Sequence, residues 1–215
     1  MHNEVINALF SRQEKSGRFY GMVVGIVTNN QDPDEMHRVK VQFPWLDPGY
    51  ESNWARVVSP MAGNNRGVYF LPEVGDEVVA AFQHGNIDHP YVLGSVWNGK
   101  DVAPESNRDK ENNMRSIRSR SGHLVRLNDT AGGEAIEIVD KTGKNKIVIK
   151  TSDNSVTVEA RGDITIHSVT GKLSLSAANG IEMTSNAGVE IKATTSMDLK
   201  AGAQMNVKGA MINLN

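Results

Sequence analysis

Apolar and polar residues alternate with period two over most of this chain, the spacing of β-strands rather than helices. In HRVKVQFPW, Val39, Val41 and Phe43 fall on one side, and Lys40 and Gln42 on the other. FYGMVVGIVTNN, NWARVVSP, GVYFLP, EVGDEVVAAFQ and HPYVLGSVW have the same character, punctuated by Gly, Pro and Asn. Five or six short strands with such turns predict a small closed antiparallel barrel over residues 17–98, of the OB or the SH3-like kind. Ahead of it, Val5, Ile6, Leu9 and Phe10 have near-helical spacing and predict a short helix within residues 1–16.

The far half carries a different period. Pairs of same-side aliphatics recur as Val156/Val158, Ile164/Ile166, Leu173/Leu175, Ile181/Met183, Val189/Ile191, Met197/Leu199, Met205/Val207 and Ile212/Leu214. Their first members are spaced 8, 9, 8, 8, 8, 8 and 7 residues apart. A small residue (Gly162, Gly171, Gly180, Gly188, Ser196, Gly202) usually precedes each pair, and the residue inside it, such as Glu182, Glu190 or Asp198, is polar. Each unit is thus a short strand followed by a tight corner. Upstream, Ile136/Ile138 and Ile147/Ile149 extend the alternation across a turn at Lys-Thr-Gly-Lys-Asn.

An octad repeat can close on itself as a solenoid with three octads per coil. The tail would then make fewer than three coils, at the lower edge of what stacked repeats need. Alternatively three chains wind together and each supplies one face of every layer. A lone chain leaves most strand edges unpaired, which favours three chains. Eight layers about 4.8 Å apart would make a rod section of roughly 40 Å.

Composition separates the same two halves. All twelve aromatic residues lie at or before Trp97 and all seven prolines at or before Pro104. The polar stretch NGKDVAPESNRDKENN reads as the linker between two architectures. A net charge of −2 argues against a dedicated nucleic-acid binder. Without cysteine there is no disulfide framework and no thiolate metal site. No apolar run is long enough to span a membrane as a helix, and MHNEVINALF lacks the layout of a secretory signal.

Several segments, in order, resemble one family. RVKVQFPW (Arg38–Trp45), WARVVSPMAG (Trp54–Gly63), GVYFLPEVGDEV (Gly67–Val78) and HPYVLGSVWNG (His89–Gly99) resemble the OB-fold of VgrG and phage baseplate spike proteins. Ser121–Thr151 resembles the segment that opens the β-helix in those proteins. The resemblance implies an all-β chain: an OB-fold barrel at 17–98, a linker at 99–120 and an intertwined trimeric β-helical needle at 121–215, with the helical segment 1–16 against a hub. It implies a homotrimer, assembled in the bacterial cytoplasm and carried in a phage tail or extracellular contractile particle. Sheath contraction would drive it through a target envelope. The expected lumen is Val156, Val158, Ile164, Ile166, Leu173, Leu175, Ile181, Met183, Val189, Ile191, Met197, Leu199, Met205 and Val207. With so few residues ahead of the barrel, the hub is expected to be a separate protein. A PAAR-type tip protein is expected on Met211, Ile212, Asn213, Leu214 and Asn215. No cofactor, metal or catalytic residue is expected.

The candidate chemistry is sparse. His84 and His89 flank Asp88 but sit with Gly85, Asn86 and Pro90, the makings of a loop. His167 follows Ile166 and should face outward. Asp32, Asp34 and Glu35 lack the spacing of a calcium loop and read as a solvated turn. Arg115, Arg118, Arg120 and Arg126 have no interleaved aromatics, so they are expected to pair with acids of neighbouring OB-folds at the needle root rather than bind nucleic acid. In EVGDEV, Gly75 should permit a tight turn that Asp76 caps. Two rival functions follow from the same residues. Outward acids could be paired between chains in a glycan depolymerase, although the tail offers no aromatic platform for sugar. An OB-fold with an oligomerising tail could also bind single-stranded nucleic acid.

Overall fold

The computed structural model describes residues 17–213. The predicted helix within 1–16, and Leu214 and Asn215 of the expected tip-docking end, lie outside the described residues. The chain divides at Gly162/Asp163.

Five strands close a barrel: β1 (Val23–Asn29), β2 (Arg38–Gln42), β3 (Ala55–Val57), β6 (Glu77–Phe82) and β7 (Pro90–Ser95), in the order β1-β2-β3-β7-β6. The pair β3–β7 is parallel and the others are antiparallel. This Greek-key closure is that of an OB-fold and resolves the choice left open by strand count alone. The hairpin β4 (Ala62–Gly63) and β5 (Arg66–Gly67) fills the connection between β3 and β6. GVYFLP, expected to be a strand, contributes only Gly67 to one. Val68, Tyr69 and Phe70 are exposed, and the only strand-like bond is from the Val68 N–H to the Met61 carbonyl.

The alternation that predicted β2 also fills the core. Val39, Val41 and Phe43 are fully buried, with Val27, Ala55, Val78, Ala80, Phe82 and Val92 around them. The Phe43 and Phe82 rings meet edge-on at 5.4 Å. The buried Ser52 hydroxyl accepts the Val41 N–H and donates to the Asn53 carbonyl, so it costs no unpaired polar group. Gly25 lets β1 cross close over β2: a Cβ there would strike Val41 and come within 2.9 Å of Phe43 Cδ1.

A second sheet follows as an antiparallel meander of β8 (Met114–Arg118), β9 (Leu124–Asn128), β10 (Ala135–Val139), β11 (Lys146–Lys150) and β12 (Ser155–Glu159). β8 falls inside the stretch 99–120 read as linker, so the irregular connection from the barrel ends by Asn113. Val156 and Val158, read as the first octad pair, are the inner residues of β12 in this sheet.

The tail, 163–213, is extended and bends at 169–171, 178–179, 186–187, 194–195, 202–203 and 210. The bends keep the eight-residue step of the aliphatic pairs. Among the described residues the tail contains no strand pairing, and every residue of it is exposed.

Candidate functional site

Directly opposed residues in an antiparallel sheet share a face. The pairing of β8–β12 therefore builds two columns on one face. The first runs Ile117, Val125, Ile138, Ile147, Val158. The second runs Arg115, Leu127, Ile136, Ile149, Val156. The nine aliphatics are 41–67 % exposed, although they form one contiguous surface. Monomeric proteins rarely leave such a patch open to water. The opposite face is mixed: it carries Leu124, Val139 and Val148 beside the cross-strand ion pairs Arg126–Glu137 at 2.6 Å and Lys146–Glu159 at 2.9 Å. The expected lumen residues of the tail share the exposure of the sheet's apolar face, from 46 % at Met197 to 69 % at Ile166 and Leu199.

The turn at EVGDEV links the barrel to the root of this sheet. Gly75 has φ of 99°, a conformation that favours glycine, and its N–H donates to the Val27 carbonyl at 2.8 Å. Asp76 Oδ2 accepts the Glu73 N–H at 2.9 Å and closes the turn. Glu73 then receives Arg120 Nη1 at 2.8 Å. Three of the four arginines expected to reach neighbouring OB-folds have partners within their own chain. Arg120 takes Glu73, Arg115 takes Asp129 at 2.5 Å, and Arg126 lies between Glu137 and Glu105. The hydrogen bond with Glu137 raises Arg126 above its ordinary value. Arg118 makes no ion pair among the described residues.

Residues 23–97 match the family described as the type VI secretion system/phage-baseplate injector OB domain. The whole barrel lies within that match. Over 135 residues the chain is 30 % identical to type VI secretion system spike protein VgrG1a of Pseudomonas aeruginosa, covering 57 % of this chain and 21 % of the relative. It is 31 % identical over 139 residues to VgrG1b of the same organism, covering 61 % and 18 %. It is 30 % identical over 135 residues to VgrG3 of Vibrio cholerae, covering 59 % and 13 %. These stretches are longer than the barrel, so the likeness to spike proteins continues past it. The chain spans about a fifth or less of the length of these relatives.

The remaining candidates lie in loops and in the tail. His84 sits in the single 3-10 turn Gln83–Gly85 and His89 just before β7, so both belong to the loop joining β6 and β7. His167 is exposed in the tail. Among the described residues, no three or more His, Asp or Glu side chains are placed to hold a metal ion. No helix among them is long and apolar enough to cross a membrane. The acidic turn differs from its expectation. Asp32 is 5 % exposed rather than solvated, because Arg38 from β2 folds back on it. Arg38 Nε and Nη2 donate to its two oxygens at 2.8 and 2.6 Å, and Nη2 also reaches Asp34 at 2.6 Å. The backbone N–H groups of Asp34 and Met36 complete the clamp. Sequence reading treated the acids alone; the signal was Arg38, six residues after Asp32.

The clamp has a pH consequence. Arg38 above all, with the two N–H groups, holds the Asp32 carboxyl well below the usual carboxylate range. A depressed folded-state value adds stability above the unfolded value of about 3.9, and that stability is lost as pH falls below it. At Asp140, burial opposes the charge, but hydrogen bonds from Thr142 and Asn145 outweigh it and hold the carboxyl down at about 2. Thermal midpoints followed by near-ultraviolet circular dichroism should therefore drop steadily as pH is lowered from about 5 towards 2. Asp32→Asn should flatten that decline and lower the midpoint at pH 7. An unchanged acid limb in Asp32→Asn would mean that the clamp contributes nothing.

Proposed function

We propose that this chain is the central spike of a contractile injection machine, working as an intertwined homotrimer that punctures a target envelope mechanically. The observation that carries the reading is the pair of aliphatic columns on β8–β12, open to water, leading into a tail whose octads, among the described residues, pair with nothing in their own chain. A single-chain solenoid would bond each octad to the one three units later. An unpaired row of backbone N–H and C=O groups is a template for another chain. Three chains winding together supply both the missing ladders and the cover for the aliphatics. In this reading Ile164, Ile166 and the following pairs through Met205 and Val207 line a dry lumen without rings, and the needle's stiffness comes from that packing together with interchain ladders.

In this reading the barrel sits at the hub end of the needle, and the likeness to VgrG spike proteins supports it. A separate hub protein sits there, and a PAAR-type tip protein docks on Met211, Ile212, Asn213 and the two residues after them. The machine is a phage tail, an extracellular contractile particle or a type VI system, and the protein does mechanical rather than enzymatic work. Native mass spectrometry of the purified protein tests the reading directly. A mass three times the 23.5 kDa chain is expected. A stable folded monomer would remove the needle and with it the puncturing function.

A further inference from the structure

Ten positions make up the two columns on the open face of β8–β12, and nine are aliphatic; the tenth is Arg115. It opens the second column on β8, the strand whose following loop ties back to the barrel through Arg120 and Glu73. Its guanidinium is anchored. Nη1 donates to Asp129 Oδ2 at 2.5 Å and to the Asn112 carbonyl at 3.3 Å. Asp129 is itself held, since its N–H donates to the Asn113 carbonyl at 2.9 Å. An anchored ion pair thus lies on the edge of an otherwise apolar face.

Chemical uniformity is the difficulty that a trimeric needle has to solve. Leu127, Ile136, Ile149 and Val156 lead into octad pairs of the same character at a regular step. Three chains displaced from one another by one layer, about 4.8 Å, would still bury aliphatic against aliphatic. Apolar contact is non-directional, so such a slip is penalised only at the ends. A charge at one place in the column removes that degeneracy. With chains level, three Arg115–Asp129 pairs share a layer. With one chain displaced, its arginine and the Asp129 that travels with it are pressed against the Leu127 layer of a neighbour, and an ion pair loses its water to aliphatic surface that offers no polar partner in return. A buried charge without full partners is strongly unfavourable, and a single polar position in an apolar seam is the best-attested way to fix alignment.

We propose that Arg115, held by Asp129, sets the alignment in which three copies of this chain assemble. The proposal rests on the trimeric reading above. The chain has no cysteine, so trimers can be assembled from a mixture of chains carrying a gadolinium chelate at Thr157→Cys and chains carrying a nitroxide at Asn206→Cys, polar positions six octad units apart, so that the distance between unlike labels runs mostly along the needle and a one-layer slip changes it by nearly the full layer spacing. Pulsed electron–electron dipolar spectroscopy then reads the spacing between copies in the full-length protein. The parent trimer should give one distance, as level three-fold copies require. Arg115→Leu should still form trimers but add a second distance, displaced by nearly one layer, and Arg115→Lys should restore the single one. If Arg115→Leu yields no trimer, Arg115→Gln takes its place in the same measurement. A single unchanged distance in the Leu or Gln trimers would overturn the proposal. Failure of the trimeric reading would look different, as a monomeric mass and no dipolar signal in the parent protein.

Discussion

Ile181→Asp should turn the proposed trimer, which is expected to resist heat and detergent, into separate chains. Ile181 and Met183 lie midway along the tail, between the bends at 178–179 and 186–187, with aliphatic pairs on either side. Wound three-fold, the substitution places three carboxyl groups in one layer with no polar partner. Each uncompensated buried charge costs about 3–5 kcal/mol, and protonation to escape the charge still leaves unsatisfied polar groups. The cost recurs in all three chains at once. Unheated detergent gels and native mass should both report the loss. The barrel should survive, because all twelve aromatic residues precede the tail and their near-ultraviolet dichroism reports the barrel and its approaches. Glu182→Gln, one residue away on the outer side, should leave the trimer intact. An Ile181→Asp trimer as resistant as the parent would show that this side chain does not face inward.

Phe43→Ala should have the opposite signature, a weakened barrel with the tail assembly retained. Phe43 is fully buried, 5.4 Å from the Phe82 ring and 6.2 Å from Trp45. Truncating a buried phenylalanine removes about 3–5 kcal/mol through lost transfer energy and a residual cavity. A domain of this size shifts its midpoint by roughly 4–8 °C per kcal/mol. The aromatic dichroism should therefore melt at least about 12 °C earlier. Phe43→Leu, which keeps most of the volume, should cost far less. A midpoint within a few degrees of the parent for Phe43→Ala would contradict the packing around β2.

What the sequence made legible was whatever depends on neighbours along the chain. RVKVQ announced its buried side by alternation, and Val39 and Val41 are indeed fully buried. The octad step was visible because each corner is made locally from small residues. Gly75 and Asp76 could be assigned their turn because its geometry closes within four residues. Pairing between distant segments was not legible. The parallel contact of Arg56 and Val57 with Tyr91 and Val92 separates an OB-fold from an SH3-like barrel, and no alternation encodes it. β8 went unrecognised because MRSIR carries one aliphatic at the position that joins the first column and an arginine at the other. The ion pairs of Arg38, Arg115 and Arg120 were missed for the same reason, since charge counts do not say which acid the fold brings near.

Among the described residues the tail makes no backbone bond to itself, which leaves it no unimolecular route to order. The barrel can fold as soon as it leaves the ribosome, since its contacts lie within one chain, whereas the proposed needle must wait for two further copies to arrive. Formation is then a matter of encounter and should slow steeply on dilution. Dissociation meets the reverse condition, because strands laced through one another in every layer cannot leave one at a time without stripping the rest. Such a particle would be slow to build and slower to lose, its lifetime governed by a kinetic barrier more than by an equilibrium.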